Sequence, residues 1–101
     1  MNFEWDEDKN RENLRKHELD FFDAWEIFEA PILAERDIRY DYGEIRYIGY
    51  GFLRNFIVSV VFTERNGDTI RIISLRMARK NERQKFVKYI QNQLGTTGNT
   101  D

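Results

Sequence analysis

Cysteine is absent from this chain of 101 residues, proline and histidine occur once each, and no long apolar run is present. Without cysteine, disulfide bonds and thiolate metal sites are excluded, and a cytoplasmic location is expected. No segment approaches the roughly 20 consecutive apolar residues that cross a bilayer, and the start lacks the basic-then-apolar pattern of a signal peptide. We therefore expect no membrane association, no bound metal and no cofactor.

The chain does contain enough apolar residues for one modest core. Hydrophobic residues make up 41% and aromatic residues 15% of the sequence, which favours a folded chain over a disordered one. The length is typical of one domain. We predict a single domain over residues 1–94 and a flexible polar tail over residues 95–101.

Charge is divided unevenly between the two halves. Residues 1–44 carry 14 Asp or Glu and 6 Lys or Arg, whereas residues 45–101 carry 4 and 10, so the halves have net charges of −8 and +6. A basic half can bind a polyanion such as nucleic acid. Two solvated faces with ordinary ion pairs would give the same asymmetry, so charge alone leaves both interpretations open.

Two helices are predicted in the acidic half. Asp6 is a candidate N-cap for a polar helix over Lys9–Lys16, which should end at His17–Leu19. Asp20 can cap a second helix, which ends before Pro31 because proline cannot continue a helix. Apolar side chains at helical spacing predict that this second helix belongs to the core: Phe21, Ala24, Trp25 and Phe28.

Strand signals dominate the rest of the chain, which ends in one more helix. A hairpin is indicated by Asn66-Gly67, since both residues accept the positive φ of a tight turn. The strands are expected at about Asn2–Trp5, Ile38–Tyr42, Ile45–Tyr50, Asn55–Arg65 and Thr69–Leu75. The last helix should run from about Arg79 to Leu94, with Gly95 as its C-cap. Its predicted buried stripe is Phe86, Val87, Ile90 and Leu94.

This order of elements predicts an α+β fold. An antiparallel sheet of about four to five strands would carry two N-terminal helices and one C-terminal helix. One face of the long hairpin is apolar and should pack on the helices: Phe56, Val58, Val60 and Phe62. In a regular strand Arg71 points away from the face of Arg76, which favours a structural role for Arg71. A bulge between the two arginines would reverse that inference.

Several short signatures occur in a fixed order along the chain. The N-terminal ones are Phe3-Glu4-Trp5-Asp6, Lys9, Asn13 and Lys16-His17. The later ones are Glu44-Ile45-Arg46, Ile48-Gly49, Phe62-Thr63-Glu64-Arg65, Ile70-Arg71-Ile72-Ile73-Ser74-Leu75-Arg76-Met77-Ala78 and Glu82-Arg83. The ordered set resembles the BrnT family, toxins of bacterial type II toxin–antitoxin pairs, over roughly residues 2–90. Two positions depart from the family pattern, since Glu18 stands where it usually has glycine and Leu75 where it usually has alanine.

The resemblance implies a RelE-like ribonuclease fold, which agrees with the predicted order of elements. It also implies RNA cleavage, growth arrest and neutralisation by a BrnA-like antitoxin. Such an antitoxin resembles ribbon-helix-helix DNA-binding proteins, so operator DNA would be bound only through it.

RNA can be cleaved without a metal, through attack of its own 2′-hydroxyl on the phosphodiester. The protein then needs placed cations and one or two proton carriers. Arg76 and Arg65 are the first candidates for phosphate clamps because the guanidinium is a permanently charged, planar fork. Their position at different ends of the hairpin weakens a shared site. Ordinary salt bridges, with Glu64 or Glu82 as partners, would also explain both arginines.

Proton carriers are fewer. His17 is the only histidine, the residue type most often used as a general acid or base, although a lone histidine after a helix is often a cap or a surface residue. Lys16 could bind phosphate or depress the histidine pKa. Glu64 is an alternative base, as is Glu44. Three further cations could guide RNA or simply form a basic helix face: Arg79, Lys80 and Arg83.

Three functional interpretations remain open from sequence. The first is a metal-independent endoribonuclease toxin, and the second is a non-catalytic module that binds nucleic acid. The third is a partner of the antitoxin that acts only in operon repression. Phosphate clamps would serve binding as well as catalysis, so the residues do not separate these interpretations.

Overall fold

A computed structural model describes residues 1–98 of the chain as one five-stranded sheet with three helices. In chain order the elements are β1 (Asn2–Trp5), α1 (Glu7–His17), a 3₁₀ helix (Phe21–Glu29), β2 (Ile32–Arg36), β3 (Tyr47–Leu53), β4 (Phe56–Arg65), β5 (Thr69–Met77) and α2 (Lys80–Gly98). The predicted α+β class is confirmed. Residues 99–101, the end of the predicted tail, lie outside the described residues.

The sheet is mixed rather than antiparallel throughout. Its strand order is β1-β5-β4-β3-β2, and β1 runs parallel to β5 while the other neighbours are antiparallel. Direct connections between β2, β3, β4 and β5 make successive strands alternate in direction. No such connection links β1 to β5, so the expectation of antiparallel pairing failed at this edge.

The strand predictions hold for the hairpin and fail beside β2. The turn at Asn66 and Gly67 has the predicted positive φ, 58° and 76°. The strand expected at Ile38–Tyr42 is wrong, because this segment curls around the buried carboxylate of Asp37. That carboxylate accepts hydrogen bonds from Arg39 and from the Tyr42 hydroxyl at 2.8–3.1 Å. The strand that pairs with β3 lies earlier, at Ile32–Arg36.

A three-residue repeat explains the 3₁₀ helix. Phe21, Ala24 and Ile27 recur at a spacing of three, and all three are almost fully buried. A 3₁₀ helix has three residues per turn, so this spacing places them in one straight row. The same geometry turns Trp25 outward, where it is 45% exposed. The expectation that Trp25 belongs to the core was wrong because it assumed the α-helical period.

A β-bulge interrupts β5 opposite the middle of β4. Val61 pairs with Ser74, whereas the next residue of β4, Phe62, pairs with Ile72. Ile73 is therefore the extra residue. The alternation of side chains between the two faces of the sheet is shifted by one residue across it. Arg71 and Arg76 consequently share one face of the sheet, which overturns the inference that they point in opposite directions.

Two buried asparagines dock α1 on the rest of the fold. Asn13 donates to the carbonyl of Leu75 at 2.8 Å and accepts from the amide of the same residue at 3.1 Å. Asn10 accepts from the amide of Phe21 at 2.8 Å and donates to Asp20 at 2.9 Å. The polar helix predicted from the sequence is thus held by hydrogen bonds rather than by an apolar stripe.

Helix α2 rests on β3 and buries much less than predicted. Phe86 is fully buried and packs edge-on against Phe52, whereas Val87 and Leu94 are exposed. The helix continues to Gly98, so Gly95 is not its C-cap. No helix in the described part of the chain is long and apolar enough to cross a membrane.

Replacing Asn13 tests the hydrogen-bonded docking of α1. Asn13→Ala should lower the free energy of unfolding by about 2–3 kcal/mol, because a buried amide and carbonyl of Leu75 lose their partner. Urea unfolding measures the change. Leu14→Ala, at the neighbouring half-exposed position, should cost clearly less. Equal losses in the two variants would contradict a special role for the asparagine.

Glu18 caps α1 in the left-handed conformation, at φ 58° and ψ 28°, with its amide donating to Leu14. Glu18→Gly should raise the stability by roughly 0.5–1 kcal/mol, because a residue with a Cβ is strained there. Asn66 has the same φ of 58° and is the matched control. Asn66→Gly should change the unfolding midpoint little, since asparagine tolerates this conformation.

Candidate active site

The bulge places Arg71 and Arg76 on the same side of the sheet as Arg65 of β4. This side lies opposite the 3₁₀ helix. We call this side the arginine face and define it by Arg65 of β4 and by Arg71 and Arg76 of β5. Arg71 pairs with Thr63 and Arg76 pairs with Ser59 of β4, whereas Arg65 pairs with Thr69 of β5. Helix α2 covers one end of this face, where Lys85 forms an ion pair with Glu35 of β2.

One row of paired residues crosses this face beneath the start of α2. Leu33 pairs with Tyr50, Tyr50 with Ser59, and Ser59 with Arg76, so four strands contribute one residue each. Tyr50 is nearly buried in this row. Burial, followed by the charges of Glu82 and Glu35, raises the pKa of its hydroxyl. Tyr50 is therefore a neutral phenol that can donate a hydrogen bond near Arg76.

Arg76 is held by a two-pronged ion pair with Glu82. Its Nη1 and Nη2 donate to the two carboxylate oxygens at 2.8 and 2.9 Å, and Nη1 also donates to the carbonyl of Met77 at 3.1 Å. The side chains are 26% and 12% exposed. The hydrogen bonds from Arg76 lower the pKa of Glu82 to about 2, so the pair is fully charged at neutral pH.

The three predicted RNA-guiding cations lie at the start of α2, where Glu82 binds Arg76. Glu82 also accepts from the backbone amide of Arg79 at 2.7 Å, which closes the first turn of the helix. Arg83 donates to the carbonyl of Ala78 at 2.7 Å. Lys80 and Arg83 line the same shallow groove along α2. Sequence alone placed these residues on one helix, and Glu82, one of the two glutamates expected as salt-bridge partners, is their link to Arg76.

A second group of charges lies towards the other end of the arginine face. Arg71 donates to Glu4 of β1 at 2.7 Å, and Arg65 donates to Glu44 at 3.1 Å. Arg46 binds Glu44 at 2.9 Å. The pKa of Glu44 is lowered first by its hydrogen bond to Arg46 and further by the charges of Arg65 and Arg71. Each arginine here has a carboxylate partner within the protein.

The two groups are too far apart to act on one phosphodiester. Arg76 lies opposite Ser59, and Arg65 lies six residues further along β4. At about 3.3 Å per residue this is a separation of roughly 20 Å. Arg71, opposite Thr63, lies between them at roughly 13 Å from Arg76 by the same measure. The structure therefore separates the two predicted phosphate clamps.

Lys16 and His17 lie beside the arginine face rather than on it. Both end α1 and are exposed, and they line a shallow depression with Ile73 and Ser74 at the free edge of β5. Ser74 is two residues from Arg76 and, after the bulge, faces the same side. Ser74, which lines the depression, thus lies about 7 Å from Arg76 along the strand.

Glu64 lies apart from this group. It pairs with Ile70 near the hairpin turn, and its side chain is exposed on the side opposite its neighbours Thr63 and Arg65. It lines shallow pockets at that end of the sheet. The structure brings Arg76, Lys16 and His17 to one region, and leaves Glu64 with Arg65 in another.

Sequence reasoning missed Tyr50 as a neighbour of Arg76 and undervalued Arg71. The expected salt bridge between Arg76 and Glu82 is confirmed. No sequence signal marks the bulge at Ile73. Among the described residues, no three His, Asp or Glu side chains are grouped so that they could hold a metal ion.

The fold and this face define a small α+β protein that carries three arginines, each paired with a carboxylate, on one side of its sheet. A family model described as the ribonuclease toxin BrnT of type II toxin–antitoxin systems matches residues 5–82. The chain belongs to this BrnT family.

One solved structure extends the match to three dimensions. The crystal structure of the Brucella abortus ribonuclease toxin BrnT resembles the chain with a TM-score of 0.61 and 29% sequence identity. The similarity covers 79% of this chain and 99% of that one. No curated protein matches the chain.

The pair of Arg76 and Glu82 should make stability depend on pH in the acid range. The pKa of Glu82 is lowered from 4.5 to about 2 in the folded protein. Its contribution is therefore complete above pH 4.5 and is lost as the pH falls towards 2. With allowance for solvent screening, we expect Glu82→Gln to cost about 1–2 kcal/mol at neutral pH.

The measurement is urea unfolding of both proteins between neutral pH and the acid range. The difference between wild type and Glu82→Gln should shrink below pH 4.5. Glu64→Gln, an exposed glutamate outside the pair, should differ little from wild type across the series. A constant difference for Glu82→Gln at all pH values would contradict the ion-pair explanation.

Proposed function

We propose that this protein is a metal-independent endoribonuclease that arrests growth, the toxin of a type II pair with a RelE-like fold acting in the cytoplasm. Its substrate is RNA, and its partner is a BrnA-like ribbon-helix-helix antitoxin through which operator DNA is bound. Family membership supports the reaction class. The observation that carries the site is the geometry of Arg76.

Within residues 1–98, the contacts of Arg76 leave one side of its guanidinium free. A guanidinium has five N–H donors, and those named above engage both hydrogens of Nη1 and one of Nη2. The remaining Nε–H and Nη2–H lie side by side and form a parallel fork that matches two phosphate oxygens. Glu82 thus fixes the orientation of Arg76 while a phosphate can still bind.

The reaction has one proton removed and one returned. A base takes the proton of the 2′-hydroxyl, O2′ attacks phosphorus, and the bond to the 5′-oxygen breaks as that oxygen gains a proton. The products are a 2′,3′-cyclic phosphate and a 5′-hydroxyl. Arg76 stabilises the charge that develops on the phosphorane. His17 is the proton carrier, and Lys16 adds a second cation beside the depression.

The remaining cations serve to hold RNA. Arg79, Lys80 and Arg83 continue the positive charge from Arg76 along α2, where they would track neighbouring phosphates. Arg65 lies too far away for the same phosphodiester and would contact RNA at a second point, in a role in affinity rather than in bond cleavage. Glu64 lies on the opposite side of the sheet from Arg65 and is given no role in the reaction.

A second candidate function is a module that binds nucleic acid or antitoxin without cleaving RNA. The observation that favours it is the pairing of every arginine that defines the arginine face, with Glu82, Glu4 or Glu44. These ion pairs give each arginine a structural role, so their presence on this face does not by itself require catalysis.

Incubation of the purified, antitoxin-free protein with RNA and EDTA tests the proposal. Cleavage products ending in cyclic phosphate are expected. Arg76→Ala should lower the cleavage rate by about 100-fold, the size of effect seen when a transition-state donor is removed. Arg76→Lys keeps a cation beside Glu82 but loses the fork, so it should also remain strongly impaired.

Arg11→Ala is the matched control, because Arg11 is an exposed arginine paired with Asp8 on α1. It should cleave RNA at the wild-type rate. Absence of cleavage by folded wild-type protein would reject the enzyme and favour the binding module. Full activity of Arg76→Lys and Arg76→Ala would reject the site.

A further inference from the structure

The 3₁₀ helix has three distinct ridges, because its sequence repeats every three residues. The first ridge is the buried row of Phe21, Ala24 and Ile27 described above. The second carries Phe22, Trp25 and Phe28, and the third carries Asp20, Asp23, Glu26 and Glu29. The order apolar, aromatic, acidic recurs three times, so a single helix presents an aromatic row and an acidic row side by side.

The aromatic ridge is largely without cover at its N-terminal end. Phe22 is 67% and Trp25 is 45% exposed. Trp5 approaches the Phe22 ring edge-on at 6.5 Å, which extends the patch to β1. Phe28 turns inward and packs on Phe3 and Phe62. Exposed aromatic rings grouped in this way commonly mark a binding surface.

The chain segment that carries this patch has charges of one sign. Residues 18–35 include six Asp or Glu and no Lys or Arg. A surface of this charge repels RNA phosphates and anionic membranes, and it attracts a cationic partner. The helix therefore faces a different partner from the arginine face on the other side of the sheet.

The acidic ridge already binds a guanidinium of the same chain. Arg54, in the turn between β3 and β4, places Nη2 at 3.2 Å from Asp23 and at 3.2 Å from Glu26. Its side chain remains 61% exposed. This contact shows that adjacent carboxylates of the ridge converge on one cation, and Glu29 continues the ridge beyond it.

We propose that the aromatic and acidic ridges dock a basic, amphipathic segment of the antitoxin. Apolar side chains of that segment would cover Phe22 and Trp25, and its Lys or Arg would bind the carboxylates or lie over the Trp25 ring. The identity of the partner rests on the proposed function, since a DNA-binding antitoxin must carry basic residues. The basic and apolar character of the docked segment is inferred only from the acidic and aromatic ridges.

Tryptophan fluorescence provides the test. In a Trp5→Phe background, Trp25 is the only tryptophan. A short peptide of alternating Leu and Arg should shift its emission to shorter wavelength, and added salt should weaken binding. A peptide of alternating Leu and Glu, and a short RNA, should not shift the emission. Equal binding of the acidic peptide would overturn the proposal.

Variants of the ridges refine the test by calorimetry. Phe22→Ser combined with Trp25→Ser should weaken binding of the Leu–Arg peptide by about tenfold or more, as for the loss of interface anchors. Glu26→Lys should do the same by charge reversal. Phe56→Ser removes an equally exposed ring outside the ridges and should bind like the parent. Unchanged affinity in the double variant would refute the docking surface.

Two further measurements separate this proposal from the function proposed above. When the cognate antitoxin is co-expressed with the toxin, it should co-purify with the Phe56→Ser variant but not with the double variant. Co-purification with the double variant would overturn the assignment. Sedimentation that showed self-association abolished by Trp25→Ser would assign the surface to a second copy instead. RNA cleavage by the double variant should equal that of wild type, so a failure of cleavage in wild type would affect only the proposed enzyme.

Discussion

The two hydrogen bonds between the Asn13 side chain and the backbone of Leu75 stabilise the part of β5 that carries Arg76 on the arginine face. β1 pairs with β5 only as far as Ile72, and beyond it the edge of β5 would expose unpaired backbone groups. The side chain of Asn13 takes the place of the missing strand by donating to one backbone group and accepting from the other. It does so directly after the bulge at Ile73, where the ladder with β4 is locally disrupted.

The same contact explains why a helix without an apolar stripe can be part of the core structure. α1 is fixed to β5 by the amide of Asn13 and to the 3₁₀ helix by that of Asn10. Because amide hydrogen bonds are directional, they set the register of α1 along the edge of the sheet. Lys16 and His17 are thereby brought beside Ser74, close to the row that ends in Arg76.

Much of the local structure could be predicted because it depends on neighbouring residues. The turn at Asn66-Gly67, the cap at Asp6 and the strands of the last hairpin are set by φ preference and alternation over a few positions. The bulge was not predictable, since it depends on contacts between β5 and residues far away in sequence. The row of Leu33, Tyr50, Ser59 and Arg76 requires four strands in register, which alternation within one strand does not specify.

Pairing of the arginines with carboxylates bears on how this surface could bind RNA. Burying part of an unpaired guanidinium would destabilise the fold, and its side chain could adopt many rotamers. Glu82 instead holds Arg76 in one orientation before any ligand binds. The consequence is that Arg76 itself adds little excess charge. In the proposed function, a phosphate would therefore be bound there through the geometry of the fork, whereas the cations of α2 would supply the attraction for neighbouring phosphates.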